Sequence, residues 1–279
     1  NTDVKIREDG PMRQPSGDEM QRDTRSEDGI TLADIPHILE AEQAREQHRP
    51  LPSEGARCIS ELSALELFIV KHMAVMYLQQ SALRDHVNLD DLIEFIETRK
   101  NTFWGKIFKG GKDKKEIKKK GVFGIPLEIL VERNGADSTL GASAAHLRVP
   151  SFIDDVISAM KQMDLSVEGI FRKNGNIRRL KELSEALDRD SSSVNLLDDN
   201  PVQLAALLKK FLRELPDPLM TFKLHKLFVM SQKLESEVER HRILHMVTIL
   251  LPKGHRDTME VLFAFLKWVA SFSHIDEET

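Results

Sequence analysis

The feature that most constrains the fold is the spacing of apolar residues after residue 58, which recur three and four positions apart in one segment after another. Leu180, Leu183 and Leu187 are one example, because this spacing places all three on the same side of a helix. Aromatic residues make up only 6% of the 279 residues, a composition that suits helices better than sheets. Strand-like alternation is absent, so the sequence predicts an all-α fold.

Helix starts are indicated by residues that cap or begin helices. Ser60 or Ser63 precedes the first helix, Asn88 the second and Asn176 a later one, while Pro201 suits a first helical turn. Periodicity predicts helices over the following segments: about 62–78, 88–99, 122–131, 152–160, 177–187, 201–215, 222–232, 237–251 and 255–271.

Composition divides the chain into four parts. Residues 1–56 are polar and rich in Pro, Gly and charge, so we expect them to be disordered apart from a short helix near Pro36. Residues 57–101 are expected to form a helical hairpin, residues 102–120 a lysine-rich linker and residues 121–279 the main domain. The apolar faces of the hairpin cannot stay exposed, so it must pack on the main domain or on a part upstream.

Several functional classes are disfavoured. The net charge of −5 gives no overall bias towards nucleic acid. Cys58 is the only cysteine, which rules out an intramolecular disulfide and a thiolate-rich metal site. His241 and His245 have the spacing of a zinc pair, but Arg242 stands where a zinc protease has glutamate, so no metal site is expected. No apolar run is long enough to cross a bilayer and no signal peptide is evident, which favours a cytoplasmic location.

One short loop, Gly169-Ile170-Phe171-Arg172-Lys173-Asn174-Gly175, lies between two predicted helices. We expect Phe171 to be buried and the two glycines to let the backbone turn sharply, which would hold Arg172 on an anchored loop. A guanidinium is planar, always charged and forked, and therefore suits phosphate oxygens. From the loop alone, a solvated or salt-bridged surface arginine is the more ordinary interpretation.

A second basic feature follows on the helix that begins near Pro201. Lys209 and Arg213 are four residues apart and so lie on one face, away from the leucine stripe. A solvated basic edge is the usual explanation for such a pair. Here, however, the helix runs into Glu214-Leu215-Pro216-Asp217-Pro218-Leu219, in which two prolines give a rigid exit, so the basic face belongs to a positioned surface.

At these residues the chain resembles RhoGAP domains, which activate Rho-family GTPases. The resemblance covers about residues 122–279 and rests on separated blocks in matching order: Gly169-Ile170-Phe171-Arg172, residues 207–219, Phe123-Gly124-Ile125-Pro126-Leu127 and Val149-Pro150. Thr102-Phe103-Trp104-Gly105-Lys106 and the extended loop are similar to fungal RhoGAPs that carry LIM zinc modules upstream, although no LIM cysteines are present here.

The resemblance implies a role for each candidate residue. Arg172 matches the arginine finger that enters the GTPase nucleotide site, and its carbonyl helps to hold the glutamine that orients water. Lys209 and Arg213 match the pair that buttresses the finger loop and contacts the switch regions, and Pro218 matches an interface proline. The RhoGAP-like helical bundle would thus activate a GTP-bound Rho-family GTPase in signal transduction and cytoskeleton regulation. It would not be an enzyme with its own pocket and would need no cofactor, since GTP and Mg²⁺ belong to the partner.

One departure from the family pattern bears on activity. RhoGAP domains continue into a helix with an Asn-Leu-Ala motif, whose asparagine contacts the GTPase, and this chain stops at Thr279 before that block. We therefore expect the C-terminal part of the domain to be missing from this sequence. A scaffold that binds a Rho-family GTPase without activating it is the first alternative.

The lysine-rich stretch leaves three interpretations open. It contains Lys112, Lys114, Lys115, Lys118, Lys119 and Lys120. A solvated linker is the default, binding to anionic lipid is the second and nuclear targeting the third. The second would make the protein an adaptor recruited to the plasma membrane or to sites of polarised growth.

Overall fold

The structure is a computed structural model that describes residues 58–96, 120–143 and 145–272, together with Pro36. The predicted disordered segment, apart from Pro36, and the lysine-rich stretch up to Lys119 lie outside the described residues. Pro36 itself is helical and exposed, at the place where the sequence suggests a short helix.

Nine helices make up most of the described residues, which confirms the all-α fold class. Two of them, α1 (Ala64–Gln80) and α2 (Leu89–Ile96), form the expected hairpin. The others are α3 (Leu127–Asn134), α4 (Ser151–Met160), α5 (Ile177–Arg189), α6 (Pro201–Glu214), α7 (Phe222–Ser231), α8 (Glu237–Leu250) and α9 (Lys253–Ser271).

One short pair of strands is present although the sequence shows no strand-like alternation. Strands β1 (Gly135–Ser138) and β2 (Leu147–Pro150) pair antiparallel, with Gly135 opposite Pro150 and Ser138 opposite Leu147. Each strand has only four residues, which is too short for an alternating pattern to stand out in the sequence. β2 leads directly into α4, so the pairing of β1 with β2 fixes the direction in which α4 starts.

The first helix of the main domain begins later than the apolar run that predicts it. Gly124 has a φ of +72° and Pro126 precedes the first helical residue, so α3 starts at Leu127 rather than at residue 122. Phe123 and Ile125 are still buried, as anchors that precede the helix.

Side-chain caps account for most of the other helix starts. The side chain of Ser63 accepts a hydrogen bond from the backbone N–H of Glu66, which selects Ser63 over Ser60 as the cap of α1. Asn176 and Asn200 accept in the same way in the first turns of α5 and α6. Such caps satisfy backbone donors that have no partner within the helix, and therefore fix where each helix begins.

The buried apolar residues form two cores. The first core lies among α3, α4, α5, α6 and α9, and its largest fully buried side chain is Phe211, whose ring centroid is 4.8 Å from that of Phe152. The second core joins the hairpin to α7 and α8, through residues such as Leu78, Leu92 and Ile243. The hairpin therefore packs on the main domain.

Helix length gives one further finding. Even α9, which has 19 residues, lacks the run of apolar residues that a bilayer crossing needs, and the same holds for every other helix in the described part of the chain.

Candidate functional site: the arginine loop and its supports

The loop between α4 and α5 turns tightly at Gly169. Gly169 has a φ of +70°, in the left-handed region that favours glycine. The backbone N–H groups of Arg172 and Lys173 both donate to the Gly169 carbonyl, at 2.9 and 2.8 Å. Ile170 is buried in the first core and anchors the turn. The loop therefore has a defined backbone of its own.

Phe171 is half-buried, whereas the sequence predicted a buried side chain. Its ring packs edge-on against Phe265 of α9, with the ring centroids 6.3 Å apart. Ile170, one residue earlier, takes the deeper position. The next residue, Arg172, is exposed.

The side chain of Arg172 is 75% exposed and lies back over Gly169. Its Nη2 donates to Oε1 of Glu168 at 3.0 Å, and the Glu168 side chain is itself 88% exposed. An ion pair this exposed contributes at most about 1 kcal/mol. The guanidinium can therefore leave Glu168 at little energetic cost.

Lys209 reaches from α6 to the backbone on both sides of Arg172. Its ammonium donates to the carbonyl of Phe171 at 2.7 Å and to that of Lys173 at 3.1 Å. Hydrogen bonds from a charged donor are stronger than neutral ones. The structure thus brings Lys209 and the arginine loop together, whereas the resemblance implied that both Lys209 and Arg213 support this loop.

Glycine is required at position 175 by close packing against α6, and not by the sharp turn that we expected. Its φ is not positive, but a Cβ atom at this position would lie 2.5 Å from Oε1 of Gln203 and 3.3 Å from the Cβ of Ala206. The missing side chain lets the end of the loop lie directly on α6. Gln203 was not predicted as a site residue, and its only signal in the sequence is a polar residue beside the leucine stripe.

Arg213 follows one helical turn after Lys209 but does not contact the loop. Its side chain is exposed, and it makes no hydrogen bond or ion pair with any other residue in the described ranges. Pro218 is half-buried in the segment that leaves α6, and its carbonyl accepts a hydrogen bond from the N–H of Thr221 at 2.8 Å.

Thr221 is the one described residue other than glycine with a positive φ, at 56°. A β-branched residue rarely adopts this conformation, which carries a cost of roughly 1–3 kcal/mol. Its side chain accepts from the N–H of Leu224 and thereby caps α7. The strain lies directly after the Pro218 segment, at the start of the next helix.

His255 of α9 fixes that segment from beneath. The ring is 1% exposed, and its Nδ1 lies 2.8 Å from the carbonyl of Leu219, while Nε2 lies 3.0 Å from Oε1 of Glu128. A carbonyl can only accept, so Nδ1 donates to it, and Nε2 donates to the carboxylate. The geometry is that of an imidazolium paired with a carboxylate.

The electrostatics of this pair agree with the geometry. Burial disfavours the charged form of His255, but the hydrogen bond and charge of Glu128 outweigh it and raise the pKa above the ordinary 6.5. Burial likewise opposes the charge on Glu128, and the contacts with His255 outweigh it and lower that pKa below 4.5. Burial raises the pKa of the nearby Asp217, which accepts from the N–H of Phe222 at 2.8 Å.

Comparison with known proteins identifies the region around this loop. The RhoGAP domain family matches residues 150–278, which include the loop, Lys209, Arg213 and Pro218. Residues 150–278 are a RhoGAP domain. Rho-type GTPase-activating protein 1 of Schizosaccharomyces pombe is 52% identical over 288 residues, which cover 89% of this chain and 25% of that protein.

Two further comparisons concern a second fungal protein and a solved structure. Rho-GTPase-activating protein LRG1 of Saccharomyces cerevisiae is 38% identical over 277 residues, 89% of this chain and 27% of that protein. The crystal structure of human Rho GTPase activating protein 15 aligns with 29% identity over 56% of this chain and 69% of that chain, at a TM-score of 0.47. This chain spans about a quarter of the length of the two fungal relatives.

The similarity to the fungal proteins extends beyond the RhoGAP domain. An alignment over 89% of this chain must include many residues before residue 150, where the family match begins. The structure places residues before that point in both cores, since Phe123 and Leu130 belong to the first and Leu78 to the second. The RhoGAP domain is therefore packed against chain that precedes it in sequence.

None of the remaining predicted features is placed at this site among the described residues. The lysine-rich stretch lies outside the described residues up to Lys119, Lys120 is exposed, and its binding to anionic lipid stays a prediction. His241 and His245 are both exposed on α8, and no group of three His, Cys, Asp or Glu side chains within the described ranges could hold a metal ion.

Proposed function

We propose that this chain accelerates GTP hydrolysis by a Rho-family GTPase in its GTP-bound state, with Arg172 acting in trans as an arginine finger. The observation that carries the proposal is an exposed arginine on a loop whose flanking carbonyls are both held by Lys209. The RhoGAP domain that contains this loop supports the same interpretation.

The chemistry required is the stabilisation of charge on the transferring phosphoryl group. A guanidinium supplies fixed positive charge and forked donors to the phosphate oxygens, while GTP and Mg²⁺ belong to the GTPase. An arginine finger increases the rate about 10³- to 10⁵-fold, which corresponds to roughly 4–7 kcal/mol of transition-state stabilisation. Leaving the exposed Glu168 costs at most about 1 kcal/mol, so Arg172 can reorient towards a phosphate with most of that stabilisation kept.

Two further residues are proposed to hold the GTPase. Arg213 presents a guanidinium that pairs with no other described residue, one turn beyond Lys209 on the same helix that supports the loop. Pro218 lies on a segment whose backbone is held by His255 and by the turn to Thr221. A partner that receives Arg172 would meet both residues on a surface that is already ordered, which lowers the entropic cost of binding.

The test is single-turnover GTP hydrolysis by a panel of purified Rho-family GTPases, with the wild-type chain and the Arg172→Ala variant. We expect one or more GTPases to be accelerated, and Arg172→Ala to remove at least 10³-fold of that acceleration while GTPase binding is retained. Arg84→Ala is the matched control. The Arg84 side chain is 72% exposed, and its Nε lies 3.8 Å from Oδ1 of Asp85 in a similarly exposed ion pair near the second core.

Two outcomes would contradict the proposal. Full acceleration by Arg172→Ala would show that Arg172 is not the finger. Binding to GTP-loaded Rho proteins with no acceleration of any of them would favour a scaffold that binds without activating.

A further inference from the structure

One face of α6 lies along the arginine loop for a little under two turns. Gln203, Ala206 and Lys209 recur every three residues on this face, and each meets the loop at a different point. Lys209 holds the carbonyls on both sides of Arg172, Ala206 lies under Gly175, and Gln203 meets Asn176 where the loop becomes α5. The loop is thus held at its middle and at its end by the same helix.

The contact made by Gln203 involves the whole amide group. Its Oε1 accepts from the backbone N–H of Asn176 at 2.8 Å, and its Nε2 donates to the backbone carbonyl of the same residue at 3.3 Å. The residue is 2% exposed, so water cannot readily replace either hydrogen bond. Gln203 therefore binds the main chain of one residue as an adjacent strand would.

Asn176 carries this restraint into the next helix. Its side-chain Oδ1 accepts from the N–H of Arg179 and so caps α5, while Gln203 holds its main chain. Gly175, immediately before it, leaves no room for a side chain between the loop and Gln203. Both the N–H and the carbonyl of Asn176 are therefore held at the junction between the loop and α5.

We propose that Gln203 is a positioning residue for Arg172, acting as a second clamp four residues after the finger. The inference rests on the proposed function of Arg172. Lys209 restrains the loop at residues 171 and 173, and Gln203 prevents its C-terminal end from rotating or lifting off α6. The role is confined to placement, because Gln203 is buried beneath the loop and presents no surface to a GTPase.

The first experiment compares Gln203→Met with wild type in single-turnover GTP hydrolysis by the responding GTPase. Methionine has a similar length but offers neither a donor nor a strong acceptor to Asn176. We expect the maximal acceleration to fall about tenfold, against the roughly 100-fold that a misplacement of 1 Å can cost, while the half-saturating concentration changes less than about twofold. Leu204→Met, at the buried neighbouring position of α6, should leave both parameters unchanged.

The same substitution in an Arg172→Ala background separates positioning from a general structural effect. If Gln203 acts through Arg172, adding Gln203→Met to Arg172→Ala causes no further loss of rate. A loss by the same factor in both backgrounds would overturn the proposal, as would a full maximal rate in the single variant.

A second measurement does not depend on any GTPase. Amide hydrogen exchange at Asn176 should be slow in the wild-type chain and markedly faster in Gln203→Met, and equal protection in the two would also overturn the clamp. If no GTPase responds to the wild-type chain, the proposed function fails while this exchange rate still decides the clamp.

Gly175→Ala supplies an independent route to the same test if the Gln203 variant does not fold. The added methyl group would lie 2.5 Å from Oε1 of Gln203 and so displace the amide from Asn176. We expect faster exchange at Asn176 and a reduced maximal rate, and wild-type values for both would overturn the proposal.

Discussion

The first core and the second core differ in the kind of contact that holds the segments around each of them in place. Around the first core, buried polar side chains reach across to the backbone of segments that are not helical, as Gln203 does to the loop and His255 to the exit from α6. In the second core the contacts between helices are mainly apolar, with Leu78, Leu92 and Ile243 all at most 1% exposed. Non-helical backbone has no hydrogen-bond ladder of its own, so its position has to be fixed by other groups.

The second core does contain polar contacts, and several of them join one helix to another. Lys223 of α7 forms ion pairs with Asp91 and Glu94 of α2 near the surface. Lys71, in contrast, is buried and donates to the carbonyl of Phe95 at 3.3 Å, near the end of α2. The comparison indicates that the hairpin contributes stability, whereas the polar contacts of the first core determine the geometry of the site.

The strongest way to test this division is to create a cavity in each core. Leu78→Ala in the second core should lower the free energy of unfolding by about 2–5 kcal/mol, and Phe211→Ala in the first by about 3–5 kcal/mol. Under conditions where both remain folded, Leu78→Ala should keep the wild-type maximal acceleration, while Phe211→Ala should reduce it, because Phe211 is buried on α6, the helix that carries the loop supports.

Urea unfolding gives the two free energies, and single-turnover hydrolysis on the folded variants gives the rates. A folded Leu78→Ala protein with a clearly reduced maximal rate would mean that the hairpin also shapes the site, and the division between the cores would have to be abandoned.

The difference between the cores also explains what could be predicted from sequence. Helices and apolar faces follow from the spacing of Leu180, Leu183 and Leu187 and of similar sets, since that information is local. Arg172 and Lys209 were predicted because the family pattern contains both. The other supports depend on partners far apart in sequence: Gln203 and Asn176 are 27 residues apart, and His255 and Glu128 are 127 apart.

Such long-range polar pairs leave almost no local signal. A buried glutamine and a buried histidine look like ordinary polar residues within helices until the segments that they touch are known. The same reason explains Gly175, whose lack of a side chain is required by a neighbour on another helix and not by its own φ.

Lys209→Met sharpens the comparison at a single side chain. It removes two hydrogen bonds from a charged donor to the loop carbonyls but keeps most of the apolar stem. Each such bond contributes about 1.5–3 kcal/mol, so if the loss of placement is equivalent to one of the two bonds, the maximal acceleration should fall roughly 10- to 150-fold. Lys210→Met is the neighbouring control, because Lys210 pairs with Glu214 and lies over the ring of Phe123, away from the loop.

Both variants are compared in single-turnover hydrolysis and in urea unfolding. We expect Lys210→Met to lose roughly 1–2 kcal/mol of stability, because its ion pair and its contact with the Phe123 ring are partly buried, with an unchanged maximal rate. Equal effects of the two substitutions on the maximal rate would contradict a specific role for the bonds to Phe171 and Lys173.

The smallest predicted effect is a pH dependence that belongs to the first core. Glu128 has a lowered pKa, so its contribution to stability is complete above its ordinary value of 4.5 and is lost as the pH falls through the lowered value. His255 has a raised pKa, so its contribution is complete below 6.5 and is lost as the pH rises through the raised value. Both contributions are therefore complete between about pH 4.5 and pH 6.5. Asp217, whose pKa is raised, adds a loss of stability with rising pH that begins near 3.8.

His255→Gln removes the titrating group, so the unfolding free energy should depend less on pH above 6.5, by roughly 1.4 kcal/mol for each unit by which the His255 pKa is raised. The measurement is urea unfolding of wild type and His255→Gln from pH 5.5 to pH 8.5, with His245→Gln, at an exposed position on α8, as the control. The advantage of wild type over His255→Gln should be largest near pH 6 and shrink as the pH rises. If the two proteins lost stability in parallel above pH 6.5, the exit from α6 would be held by something other than the charged pair, and the polar contacts of the first core would matter less than its apolar packing.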